Sequence, residues 1–145
     1  MAASKACVTV DSIVLRGDTD AGVHGYGEVC PIPHYLPAYA GGVAPAIQEL
    51  ATVLLGADPT GVGGVMEKAD DWLLDHRYAK YALDIALWDL TAKLAGLPLY
   101  AIVGGQRSTK LPSYHCITCV DPDVMAEHAR ASNGAIRSRA NSVKT

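Results

Sequence analysis

The residue types able to do chemistry are few and scattered. Cys116 and Cys119 form a C-x-x-C, Glu28, Asp84 and Asp89 are acids in apolar surroundings, and Gly61 to Gly64 form a glycine-rich turn. Ser113 to Val120 reads as a strand, so thiols at i and i+3 point to opposite faces, which suits neither one metal nor a redox pair. Cys7 and Cys30 stand alone, and all four cysteines read as structural. The glycines of 61–64 have no following Lys-Ser or Lys-Thr and no strand before them, so they make no phosphate loop. His24, His76, His115 and His128 show no metal-like spacing with one another or with nearby carboxylates. Glu28, on a predicted strand, reads as a structural hydrogen-bonding group. Lys80–Asp84 and Asp89–Lys93 stand at i,i+4 spacing and are expected to pair along the rim of a helix. No metal site is predicted from these residues.

Composition narrows the function classes. The chain has 145 residues, 50% of them hydrophobic and 19% charged, which is ordinary globular material and enough for a core. A formal net charge of −3 and the lack of a basic stripe exclude a general attraction to nucleic acid or to an anionic membrane. The uncharged run from Val29 to Gln48 has membrane length, but Pro31, Pro33, Pro37 and Pro45 argue against a spanning helix. Ala6 to Leu15 is interrupted by Asp11 and lacks a small-residue cleavage site, so a cytoplasmic location is expected.

The elements that must position any site follow from periodicity. Ser12 to Arg16 and Val23 to Val29 alternate around the turn residues Asp18 to Gly22 and predict a β-hairpin. Gly25 and Gly27 leave one face of its second strand bare, which lets another element approach closely. Helices are predicted around Val43 to Leu55, Gly64 to Leu74 and Tyr78 to Ala95, with a short helical turn from Pro98 to Val103. The third is apolar nearly all round, which predicts burial, and Gly96 fits its C′ position with Pro98 soon after. Leu111 to Thr118 begins a new extended run, and Asp121-Pro122-Asp123 reads as a helix start. After Glu127 the tail carries Arg130, Arg137, Arg139 and Lys144 without an acid and with no period of 2 or 3.6. The fold class expected is α+β, a small antiparallel sheet with a helical bundle.

Gly25-Tyr26-Gly27-Glu28-Val29-Cys30-Pro31 followed by Tyr78 to Gly105 resembles the amino-terminal part of the enolase superfamily, in the mandelate racemase and muconate-lactonizing group. The likeness runs from about Asp11 to about Ala131. Tyr35 to Gly42 and Arg77 to Lys80 most resemble the cis-3-hydroxy-L-proline dehydratases of that group. Tyr81 and Ile102 stand where the resemblance leads one to expect a small residue and a leucine. It implies a capping domain over 1–110 without its amino-terminal strand, the first β/α unit of a barrel over 111–132, and a non-family tail over 133–145.

The resemblance further implies a parent enzyme that abstracts a proton α to a carboxylate, the enediolate being held by Mg²⁺. Its substrate would be a small carboxylate, and its reaction dehydration or racemisation. The metal-binding acids belong to later barrel strands, and a typical barrel alone takes about 250 residues. The ligands for Mg²⁺ are therefore expected to be absent from this chain, which reads as a truncated or frame-shifted product and inactive alone. Of the family's lysine motif on the second barrel strand, only Lys144 stands near the corresponding place. Pro33, His34 and Tyr35 map onto the loop that contacts substrate in the family. A non-catalytic stand-alone interaction module is the rival reading, and a homo-oligomer or aggregate is the expected state of association.

Overall fold

The structure, a computed structural model, describes residues 10–33, 38–110 and 121–141, with side chains as far as 132 in the last helix. Two compact units divide the chain, Met1–Gln106 and Arg107–Thr145. No helix among the described residues is long and apolar enough to cross a membrane.

The first unit opens on the antiparallel hairpin β1 (Ile13–Asp18) and β2 (His24–Val29), paired with Ile13 opposite Val29 and Gly17 opposite Gly25. Period-2 alternation turns Ile13, Leu15, Gly17, Gly25, Gly27 and Val29 to one face, and Val14, Arg16, Tyr26 and Glu28 to the other. The Thr19 hydroxyl donates to the Val23 carbonyl at 2.8 Å and accepts from the Val23 N–H at 3.1 Å, which closes the turn.

Three helices follow, α1 (Val43–Leu54), α2 (Val62–Trp72) and α3 (Arg77–Leu94); α3 lies on the inner face, α1 packs beside it, and α2 packs on α1 and α3. The bare glycine face is where α3 lies. A Cβ on Gly25 would sit 2.5 Å from the Ala86 carbonyl oxygen, and one on Gly27 would overlap the carbonyl of Ala82. Close backbone packing of this kind is open only to glycine. Val29, Val43, Ala46, Ala79 and Ala82 form one buried cluster; Val62, Val65 and Leu87, flanked by half-buried Trp88, form a second. The helix α3 ends as the sequence predicts. Gly96 at φ +66° lets its own N–H reach the Lys93 carbonyl at 3.1 Å and the Leu97 N–H reach that of Ala92 at 2.9 Å. A one-turn helix α4 (Leu99–Ile102) follows.

Two expectations are corrected. Lys80 does not pair with Asp84; its Nζ donates to Asp70 Oδ1 on α2 at 2.7 Å, because the side chain is buried at the helix contact instead of lying along the rim. The helix α3 is buried or half-buried at every position from Tyr78 to Ala92 except Tyr81, which is 59% exposed. The departure from a small residue at Tyr81 is thus met by solvent. In the second unit the helix α5 (Pro122–Asn141) runs through a segment that shows no apolar period. It starts as expected, with Asp121 Oδ1 accepting the Asp123 N–H at 3.0 Å. Ala and Arg carry it onward by intrinsic propensity, which needs no apolar stripe. The C-x-x-C and the Leu111 to Thr118 strand lie outside the described residues.

Candidate functional site: a loop and a cleft of the first unit

At the end of β2 the chain turns through Cys30 to Pro33. Pro31 is fully buried and pins the loop to the core, whereas Cys30 and Pro33 are exposed. Of the three loop residues singled out from sequence the structure thus places Pro33 on the surface; His34, Tyr35 and the tail residue Lys144 lie outside the described residues.

Beyond the loop, the Tyr39 ring lies over the backbone of Gly41 and Gly42, where added Cβ atoms would meet it at 3.3 and 3.2 Å. Tyr39 is 65% exposed. It shares a cleft of about 540 Å³ with Gly42, Val43, Asp75, His76, Arg77 and Tyr78. Ala38, Tyr39 and Gly42 of the first run and Arg77, Tyr78 and Ala79 of the second, far apart in sequence, therefore meet at one place. Sequence reasoning missed this meeting.

The turn that carries Arg77 is unusual. Asp75 and His76 both take left-handed backbone angles, φ +60° and +49°, which are costly for residues with a Cβ. His76 caps α3 with its carbonyl, which accepts the N–H groups of Ala79 at 3.0 Å and Lys80 at 3.2 Å. Asp and His are among the few residues that tolerate this region, and their adjacency before a helix is the signal from which the turn could have been read. Arg77 meets Asp75 at 3.5 Å with both side chains more than four-fifths exposed, a pair of little energetic weight. The cleft offers a guanidinium, an imidazole and phenol groups, which can orient a small anion.

A second cleft of about 570 Å³, between the hairpin and α1, is lined mainly by apolar groups such as Leu15, Ile47, Leu50, Leu54 and Leu90. Glu28 accepts a hydrogen bond from the Ser12 hydroxyl on the outer face of the hairpin, a structural role. Every Asp and Glu of the chain lies among the described residues. Among those residues no three His, Cys, Asp or Glu side chains converge on one point. Mg²⁺ needs several oxygen ligands at about 2.0–2.1 Å, and the described residues do not fit it.

A glycine-faced hairpin under an alanine-rich helix, with helices on one side and a proline-anchored loop at its end, is the capping domain of an enolase-type enzyme. Residues 2–104 match the family described as mandelate racemase / muconate lactonizing enzyme, N-terminal domain, and the chain belongs to this family. It is 43% identical over 118 residues to the cis-3-hydroxy-L-proline dehydratase of Roseibium aggregatum, covering 81% of this chain and 32% of that protein. Among solved structures it is similar to an enolase-superfamily member from Roseovarius nubinhibens ISM complexed with magnesium, with TM-score 0.79, 41% identity, and 86% of this chain and 34% of that one covered. The N-succinyl Arg/Lys racemase of Bacillus cereus superposes with TM-score 0.81 at 28% identity, covering 86% of this chain and 34% of that one. The chain thus spans about a third of the length of the relatives it matches.

Proposed function

We propose that this chain is the capping part of a Mg²⁺-dependent enzyme that removes a proton α to a small carboxylate, with dehydration of a hydroxyproline as the parent reaction. One observation carries the finer reading: Ala38, Tyr39 and Gly42 of one run that resembles the hydroxyproline dehydratases line a single cleft with Arg77, Tyr78 and Ala79 of the other. A guanidinium can pair with a carboxylate, and a phenol ring offers an apolar face to a saturated ring. The metal, when bound to a complete enzyme of this type, supplies stabilisation of the enediolate; the residues here shape and close the site around it.

The test is a graft. Residues 2–104 replace the corresponding part of the Roseibium aggregatum enzyme, and dehydration of cis-3-hydroxy-L-proline is assayed with excess Mg²⁺. The expected result is turnover by the graft and none by this chain alone. In the graft, Arg77→Ala raises KM more than it lowers kcat. A folded graft without turnover would overturn the hydroxyproline reading and favour the stand-alone interaction module.

A further inference from the structure

The outer edge of β2 is occupied by side chains of α3. The Tyr26 N–H donates to Asp89 Oδ2 at 2.9 Å, and the His24 carbonyl accepts from Lys93 Nζ at 3.0 Å. These backbone groups belong to alternate residues and face away from β1, as an antiparallel ladder requires of an outer edge. Asp89 and Lys93, one helical turn apart, are joined to each other at 2.6 Å, and the ammonium also stands 5.3 Å from the centre of the Tyr26 ring. The carboxylate takes the donor, the ammonium takes the acceptor, and each is held by the other.

Uncovered strand edges recruit further strands. This edge is self-complementary. If two copies of β2 met antiparallel about an axis through Gly25, the Tyr26 N–H of each would face the His24 carbonyl of the other, so two of the four groups that the pair Tyr26–His24 would use are already taken. We propose that Asp89 and Lys93 are an edge seal that prevents this chain from pairing with a second copy of itself through β2. The i,i+4 pair, which on a free helix would join only its own two residues, acts here by denying an edge.

The experiment uses the full chain and the double variant D89A/K93A. Sedimentation velocity gives the association constant, and hydrogen exchange gives protection at the Tyr26 amide. The seal requires at least a tenfold rise in self-association, with the Tyr26 amide slower to exchange in the associated variant than in its dilute monomer. Unchanged association, or association that leaves that amide fast, overturns the proposal. Should the double variant fail to fold, K93M keeps the length of the side chain without its ammonium and must show a smaller rise with the same change in exchange; no rise overturns it equally.

Discussion

Lys80 shows what a single residue position conceals from sequence. Its spacing suggested a partner on its own helix, but its side chain is only 11% exposed and finds Asp70 across a helix contact, while Asp70 itself remains 65% exposed. The asymmetry of burial decides which deletion hurts. Removing the acid leaves an ammonium out of water with its partner gone, whereas removing the lysine leaves a carboxylate that water can solvate. Asp70→Ala is expected to lower stability by about 1–2 kcal/mol and Lys80→Met by less than about 1 kcal/mol. Denaturant midpoints of the two variants test the order; equal midpoints would mean that Lys80 is solvated. Gly25 and Gly27, by contrast, were legible in the sequence, because two glycines two apart on a strand clear one face and nothing else at those positions does.

At the scale of elements, α3 and β2 are joined by the Asp89 carboxylate, and this joint titrates. Burial works against ionisation of Asp89, yet hydrogen bonds from Lys93 and from the Tyr26 N–H, with the charges of Lys93 and His24, outweigh it and hold the carboxyl below its ordinary value. A depressed carboxyl contributes stability that is present above the unfolded-state value, near 3.8, and is lost as pH falls through the lower folded value. In that window the unfolded chain binds more protons, so stability must rise with pH. Thermal unfolding of the wild type followed below about pH 4 should show this slope, and Asp89→Asn should flatten it; parallel curves would refute the assignment. The helix, its glycine stop and the hairpin were readable as local patterns. The reach of Asp89 and Lys93 to the neighbouring strand was not, since i,i+4 spacing explains the pair without any strand.

For the molecule as a whole, what was hardest to read is which faces remain open. The sequence marks Leu97, Leu99, Tyr100 and Val103 as apolar residues after a helix stop, a pattern equally fit for a core or for a surface. In the first unit all four are exposed, between 42% and 57%, and Leu94 at 38% lies just before them. Apolar residues this close in sequence on one exposed turn exceed the scattered exposure normal for a monomer. The chain is therefore expected to self-associate at micromolar concentration through this surface, with binding of a dye that reports exposed apolar area. Association of this kind differs from strand pairing at β2. It weakens in Leu99→Ser together with Val103→Ser and is indifferent to Asp89 and Lys93, because the apolar turn uses no backbone edge. Light scattering on the two variant sets separates the contributions. A monodisperse wild-type monomer that binds no dye would show that the turn is covered within the chain, and the predicted apolar association would then fail while the proposal for β2 would still stand on its own test.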